Sequence, residues 1–195
     1  MTPQTVTRSS IVEATRELIR AEGLDAISLR RVGRAVGVTA PALYAHVRDK
    51  EDLLRAVAAT QYGELVERLE AIEPLDTLDR VRRSCHVYVD LAVDEPELFR
   101  TMFLFPPAVD QVDPLGVEFD AATEAFGLSA AAATAAVDVG ILVGDPVTIS
   151  FAFWTASLGL ASVLQMGLQL TDDQRTELID TVIDGLLRGL APASS

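Results

Sequence analysis

The fold is decided by residues 28–57, which read SLRRVGRAVGVTAPALYAHVRDKEDLLRAV. Ser28 can accept a hydrogen bond from a free N–H at a helix start, and Gly37 can adopt the positive φ of a tight turn. Thr39 can cap a third, very short helix whose first turn contains Pro41, where the missing N–H is harmless. The stretch therefore predicts a helix, a glycine turn and a short helix.

The short helix is predicted to have a buried face and an exposed face. Leu43 and Val47 are expected to pin it against the preceding helix. Four side chains then face outward, where the major groove of DNA could receive them: Thr39, Ala40, Ala42 and Tyr44. Glycine-centred corners between helices are common, so the pattern alone leaves an ordinary helix corner as the alternative.

The charge distribution is uneven along the chain. The whole sequence of 195 residues has a formal net charge of −13, which by itself argues against nucleic acid as a partner. Residues 26–50, however, contain five basic side chains and one acidic side chain, whereas residues 56–195 contain seven and 22. A small DNA-contacting module on an acidic body and a merely solvated basic surface both fit this distribution.

Apolar residues recur at helical spacing along most of the chain, and no stretch alternates convincingly with the period of a β-strand. We expect an all-α fold of about nine helices. An N-terminal three-helix helix-turn-helix DNA-binding domain is predicted at residues 1–50, followed by a larger ligand-binding and dimerisation domain at residues 51–195. The local signals are a capping box at Ser10 and Glu13, a stop at Gly23, a long helix from Asp49 to Pro74, and a break near Gly127.

Residues 146–170 carry no charge and are long enough to span a bilayer. Their flanks are acidic and offer no Lys or Arg anchor, and several polar residues interrupt them. We therefore interpret them as a helix at a protein interface, with membrane association as the alternative. Together with residues 172–190 they are expected to form a homodimer, two such helices from each subunit closing a four-helix bundle.

Residues 8–57 resemble the TetR family of transcriptional regulators, and the run LYAHVRDKEDLL at 43–54 carries most of the likeness. Phe153 and Trp154 with Gly159 are similar to the Trp-His-Gly-type C-terminal domain of some members. Leu158 stands where that motif has histidine.

The resemblance implies a regulator that binds double-stranded operator DNA and a small-molecule effector. It implies phosphate contacts from Tyr44, His46 and Lys50, and a guanine contact from Arg30. The base edges would meet Thr39, Ala40, Pro41 and Ala42, of which the last three offer only apolar contact, best matched to thymine methyl groups.

Ten of the eleven aromatic side chains lie in residues 62–154, which favours an apolar ligand pocket in the second domain. For any single residue, ordinary core packing is the more common role. Arg82 and His86 are the stronger candidates, because polar groups on a mostly apolar helix need partners. The candidate ligand-binding residues are Arg82, His86, Tyr88, Met102, Phe103, Phe105, Trp154 and Met166.

The sequence contains no recognisable catalytic motif, and adjacent Cys85 and His86 are poorly placed to share a metal ion. We therefore expect no enzymatic activity, no metal and no cofactor. A single cysteine and the absence of a signal-peptide pattern predict a cytoplasmic protein. The favoured function is a ligand-released repressor. The alternatives are an activator, or a small-molecule-binding dimer without operator function.

Overall fold

The computed structural model describes residues 6–106 and 117–193, and within them the fold is all-α, as predicted. Nine α-helices and a short 3₁₀ turn at Leu24–Ala26 follow one another in the described residues. The helices are α1 (Arg8–Glu22), α2 (Leu29–Ala35), α3 (Ala40–Leu43), α4 (Lys50–Glu70), α5 (Thr77–Asp94), α6 (Pro96–Leu104), α7 (Val117–Asp138), α8 (Pro146–Leu164) and α9 (Asp172–Leu190).

The chain divides into two compact units. The first falls within Met1–Gly63 and Glu95–Ala122, and the second within Glu64–Asp94 and Thr123–Ser195. Helix α4 therefore begins in the first unit and ends in the second. These units are defined by packing, so the functional division at residues 50 and 51 stays a prediction.

Helix α1 starts earlier than the sequence signal suggested. Thr7 is its N-cap and exchanges hydrogen bonds with Ser10, so the capping box expected at Ser10 and Glu13 was wrong. Glu13 instead pairs with Arg16, at 2.9 Å between Oε2 and Nη1. Gly23 ends the helix with φ +82°, as predicted.

Two helix boundaries in the second half also differ from the sequence expectation. Helix α7 continues through Gly127 without the expected break, since a glycine inside a long helix lowers its stability but does not by itself end it. Helix α8 ends at Leu164 rather than near residue 170, and Gly167 adopts φ +81° in the turn that follows. Thr171 then caps α9.

Each unit has its own apolar core. The first core joins α1, α2, α4 and α6 through side chains such as Ile11, Val32, Leu54 and Leu98. The second core joins α5, α7, α8 and α9 through side chains such as Val89, Ala136, Ile149 and Ile183. Helix α3 is held to the first core by Leu43, so its position depends on one buried side chain and the turn before it.

Candidate nucleic-acid interface and ligand cavity

Local hydrogen bonds build the helix-turn-helix in the way that its sequence predicts. Ser28 Oγ accepts from the backbone N–H of Arg31 at 3.3 Å and so caps α2. Gly37 has φ +75°, and this left-handed residue closes the turn before α3. Thr39 Oγ1 accepts from the N–H of Ala42 at 3.4 Å and caps α3.

The two faces of α3 and the segment after it are sharply different. Leu43 and Val47 are buried, which matches their predicted role as anchors. The exposed side includes Thr39, Pro41 and Ala42. Tyr44 is 56% exposed, and a large aromatic side chain in that position is available to a partner.

The remaining predicted contact residues lie on either side of α3 along the chain. Arg30 is exposed in the first turn of α2, Lys50 is exposed at the start of α4, and His46 is half-buried. The side chain of Ala40 lies outside the described part of the structure.

The basic residues of this region fall into two groups. Arg31 is paired with Glu22, and Arg48 is paired with Asp52 at 3.2 Å between Nη2 and Oδ1. In contrast, Arg30, Arg34 and Lys50 are exposed and make no ion pair with any described residue. Arg34 was not among the predicted contacts, because sequence alone does not show which arginines already have a carboxylate partner.

The carboxylate of Asp52 ties the segment after α3 to helices α1 and α4. It accepts from Arg8 Nη1 at 3.0 Å and Nη2 at 3.2 Å, and from the backbone N–H of Arg48 at 2.9 Å. Arg8 Nη1 also donates to the carbonyl of His46 at 2.9 Å. We call this set, Arg8, His46, Arg48 and Asp52, the Asp52 clamp.

The clamp is ionised under ordinary conditions. Burial of Asp52 opposes ionisation, but hydrogen bonds from Arg8 and Arg48 outweigh it and lower the pKa of Asp52 to about 2. A charged carboxylate that is only 7% exposed is thus matched by two guanidinium groups.

Helix α6 belongs to the same compact unit as the helix-turn-helix. Glu97 Oε2 accepts from the backbone N–H of Leu24 at 2.9 Å, and Glu95 Oε1 pairs with Arg20 Nε at 3.0 Å. This placement could not be predicted from the sequence, because the partners lie more than 70 positions apart.

The second unit contains a small cavity of about 30 Å³ between α5, α7 and α8. This volume accommodates one or two water molecules, far less than the roughly 150 Å³ that an engineered cavity needs to hold benzene. The lining residues are Val81, Ser84, Cys85, Tyr88, Phe126, Ser129, Ala132, Ala133, Ser150, Phe153, Trp154 and Ser157.

Of the eight candidate ligand-binding residues, Tyr88 and Trp154 line this cavity. Arg82 and His86 do not line it, because each pairs with a carboxylate of α9. Arg82 Nε lies 2.6 Å from Asp184 Oδ1, and His86 Nε2 lies 2.7 Å from Asp180 Oδ1. These two residues are on the α9 side of α5, so their need for polar partners is met within the protein.

The other four candidates lie elsewhere. Met166 follows α8 and is 78% exposed. Met102 is buried in α6, where Phe103 is partly exposed, and Phe105 packs against the core of the first unit. These three belong to the compact unit that contains the helix-turn-helix. No sequence pattern distinguishes them from the aromatic residues of the cavity.

Helix α8 has an exposed apolar face. Val147, Phe151 and Val163 are between 44% and 52% exposed, and Gly159 lies between them with open space where a Cβ would stand. The helix is long and apolar enough to cross a membrane by length and composition, with a mean hydropathy of 1.7 over an 18-residue window. Its opposite face packs in the core of the second unit through Ile149, Phe153 and Leu160.

These features define a helix-turn-helix protein with a separate helical unit that encloses a cavity. Two family models match the sequence: "Bacterial regulatory proteins, tetR family" over residues 11–57, and "Tetracyclin repressor-like, C-terminal domain" over residues 81–186. The second match covers just over half of the chain. The chain belongs to the TetR family of bacterial regulatory proteins, which confirms the resemblance and the prediction of a DNA-binding transcriptional regulator at the level of the family.

Known relatives agree with this assignment. The class D tetracycline repressor of Escherichia coli is 37% identical over 51 residues, which make up 26% of this chain and 23% of that repressor. The matched region thus spans about a quarter of that protein's length.

Solved structures show the same fold. A protein of unknown function from Rhodococcus sp. RHA1 has a TM-score of 0.81 at 24% identity, covering 98% of this chain and 100% of that one. AibR in complex with isovaleryl coenzyme A and operator DNA has a TM-score of 0.66 at 19% identity, covering 95% of this chain and 98% of that one.

Proposed function

We propose that the protein is a homodimeric transcriptional repressor that binds a palindromic operator and leaves it when a small lipophilic or aromatic effector binds. The observation that carries the DNA-binding part is the exposed face of α3 next to three basic side chains without ion pairs. Arg30, Arg34 and Lys50 carry positive charge that the described residues leave uncompensated. Phosphate oxygens supply the missing counter-charges.

In this proposal the contacts divide into positioning and sequence reading. Tyr44, His46 and Lys50 contact phosphates and set the register, whereas Arg30 donates to a guanine in the major groove. Pro41 and Ala42 are exposed and apolar, so they suit thymine methyl groups. Arg34 adds a further phosphate contact to the set predicted from sequence.

The direct test is selection of binding sites from random duplex DNA with the purified protein at near-physiological salt. We expect an enriched palindrome whose half-sites lie one helical turn apart, about 34–36 Å, or a multiple of it. Absence of enrichment from an intact, soluble protein would contradict operator binding and favour a ligand-binding dimer without it.

Two substitutions separate the roles of the contact residues. Arg30→Ala should flatten base preference at one position of each half-site, because it removes a contact worth about 1–3 kcal/mol of discrimination. Lys50→Ala should weaken binding to all sequences alike and reduce the salt dependence by about one counterion. An unchanged sequence preference in Arg30→Ala would contradict the guanine contact.

The homodimer part of the proposal rests on the exposed apolar face of α8. Exposed patches of this kind mark interaction surfaces in soluble proteins, and the adjacent α9 can complete a four-helix bundle with a second copy. Gly159, Gly185 and Gly189 have open space at their Cβ positions, which permits close approach of a partner helix. The proposed interface is residues 146–170 and 172–190.

Sedimentation analysis of Val163→Arg tests this interface. We expect the variant to be monomeric, because an arginine on the apolar face must be desolvated in the bundle. Leu75→Arg is the matched control, since Leu75 is 86% exposed before α5 and its substitution should leave the dimer intact. A dimeric Val163→Arg protein would place the interface elsewhere.

Effector response completes the proposal. A ligand that favours one spacing of the two recognition helices over another changes operator affinity by its differential affinity for the two states. Helix α4 runs from the first unit into the second and would carry the movement. The solved AibR complex with both a ligand and operator DNA supports a protein of this fold holding both.

We also propose that the protein acts by binding rather than by catalysis and that it is located in the cytoplasm. Membership of a family of bacterial regulatory proteins supports both points. Recovery of the protein from the soluble fraction without detergent, with catalytic activity absent from the purified dimer, is the expected result.

A further inference from the structure

The serine residues of the cavity share one hydrogen-bond geometry. Ser84 Oγ donates to the carbonyl of Arg80 at 2.9 Å, Ser129 Oγ to Ala125 at 3.3 Å, and Ser150 Oγ to Pro146 at 2.8 Å. Ser157 Oγ donates to the carbonyl of Phe153 at 2.9 Å. Ser84, Ser129 and Ser150 therefore use their only proton within their own helices, and their oxygens remain acceptors. Ser157 also lies within hydrogen-bond reach of the Cys85 thiol.

None of the described residues that line the cavity is charged. The two polar candidates on the same helix, Arg82 and His86, are paired with Asp184 and Asp180 of α9. The thiol of Cys85 stays neutral, because burial raises its pKa to about 11 although a hydrogen bond with Ser157 opposes the shift. A charged ligand would be desolvated here without a counter-charge, which is strongly unfavourable.

The remaining wall is largely aromatic and partly exposed. The ring of Phe151 lies 5.0 Å from that of Phe126 and 5.9 Å from that of Trp154, centroid to centroid. Phe126 and Trp154 line the cavity and are partly exposed, while Phe151 is 46% exposed. A cavity of about 30 Å³ must therefore enlarge to take a ring, by displacement of its partly exposed aromatic side chains.

We infer that the effector is a compact, uncharged molecule with one aromatic or similarly flat apolar body and a hydrogen-bond donor, such as a hydroxyl or amide N–H. The apolar body is held among Phe126, Phe153 and Trp154, and the donor is received by a serine oxygen. This inference rests on the proposed ligand-responsive function and specifies the chemistry of the effector at the same cavity.

The ligand also selects a conformation. Since the cavity in the described structure is too small for a ring, a ligand binds only the enlarged form and shifts the population toward it. The cavity thus supplies a difference between ligand-free and ligand-bound protein, which a regulator requires.

Four probes that share one ring and one substituent carbon test the inference: toluene, benzyl alcohol, benzoate and benzylammonium. The chain has one tryptophan and one cysteine, and both Trp154 and Cys85 line the cavity. Tryptophan fluorescence therefore measures occupancy, and protection of Cys85 from alkylation reports the location. We expect benzyl alcohol to bind about 3- to 10-fold more tightly than toluene, the size of one hydrogen bond, and both ions at least tenfold more weakly than toluene.

Serine variants identify the receiving oxygen. Ser84→Ala, Ser129→Ala, Ser150→Ala and Ser157→Ala are each titrated with toluene and benzyl alcohol. At least one should abolish the preference for benzyl alcohol while leaving toluene affinity unchanged. Ser162→Ala is the control, because Ser162 makes the same type of bond, to the carbonyl of Leu158 at 2.8 Å, from the exposed side of α8.

Several results would overturn the inference: tightest binding by either ion, equal affinity of toluene and benzyl alcohol, a preference that survives in all four variants, or no effect of any probe on Trp154 and Cys85. Site selection on random DNA is done without ligand and is independent of these titrations. An enriched palindrome with failed titrations would reject the effector chemistry alone. Successful titrations without an enriched palindrome would reject the repressor.

Discussion

The polar groups of the helix-turn-helix and those of the cavity are arranged in opposite ways. Around α3, the carboxylate of Asp52 is held by hydrogen bonds from Arg8 and Arg48, and the side chains proposed to contact DNA are on the exposed side. In the cavity, four serine hydroxyls donate to carbonyls of their own helices and line a small void. The first arrangement holds a rigid surface in place, whereas the second leaves room for a ligand to reshape the wall.

The largest expected change in stability concerns Leu43, which is buried next to the exposed Tyr44. Leu43→Ala should lower the free energy of unfolding by about 2–5 kcal/mol, because Leu43 is fully buried. Tyr44→Ala should change stability by less than about 0.5 kcal/mol but weaken DNA binding. Chemical unfolding followed by circular dichroism, with binding measured on the selected site, separates the two. Equal stability losses would show that the faces of α3 are not distinct.

The Asp52 clamp should contribute the next largest effect. Asp52→Asn should lower the free energy of unfolding by about 2 kcal/mol at neutral pH, because it removes the charge that Arg8 and Arg48 stabilise. Glu51→Gln is the control, since Glu51 is exposed and pairs only with Arg55 on the same helix.

The same clamp predicts a pH dependence. The pKa of Asp52 is about 2 in the folded protein and about 4 when unfolded, so its contribution is complete above pH 4 and disappears as the pH falls toward 2. Unfolding curves across this window should converge for the wild type and Asp52→Asn. A constant gap between them would mean that Asp52 does not act through its charge.

Two glycines should respond to the same substitution with opposite signs. Gly37→Ala should destabilise by about 1–2 kcal/mol, because its φ of +75° is left-handed, although nothing lies within 4 Å of the added Cβ. Gly63→Ala should stabilise by about 0.5–1 kcal/mol, because Gly63 lies inside α4 with open space around it. Thermal unfolding of both variants measures the two effects. A stabilised Gly37→Ala variant would show that the turn does not need a glycine at position 37.

The smallest effect is expected in the cavity. Ser150→Ala should alter the free energy of unfolding by no more than about 0.5 kcal/mol, because the lost hydroxyl bonds only to the carbonyl of Pro146 in its own helix. Ser162→Ala on the exposed side of α8 should behave alike. A loss of 2 kcal/mol or more in Ser150→Ala alone would show that this serine is part of the fixed core rather than of an adaptable wall.

The helix-turn-helix was predictable because its signals are local. Ser28, Gly37 and Thr39 act within four residues of their own positions, so cap, turn and cap follow directly from the sequence. Reliance on local signals also placed one capping box wrongly, because Thr7 and Ser10 form an equivalent box that starts α1 earlier. The helix break expected near Gly127 was wrong, because packing against neighbouring helices can keep a glycine in helical conformation.

The candidate site was predicted less completely, because its chemistry depends on partners. Arg82 and His86 were correctly seen to need polar partners, and these partners are Asp184 and Asp180, 102 and 94 residues further along the chain. The cavity serines have no distinctive local pattern, and neither has Arg34, which makes no ion pair with any described residue. Only the packing of α5 against α8 and α9 separates side chains that face the cavity from those that face a carboxylate.

The sequence by itself determined the all-α fold and the helix-turn-helix, because hydrophobic periodicity, caps and turns act over a few residues. The regulatory family was indicated separately, by the resemblance of residues 43–54 to the TetR family. Tertiary structure decided which arginines remain available to phosphates, how the Asp52 clamp holds the segment after α3, and which hydroxyls line the cavity. The clamp joins Arg8 to His46 and Asp52, which are 38 and 44 positions away, and the other two features depend on which helix face is covered. No short-range rule encodes either.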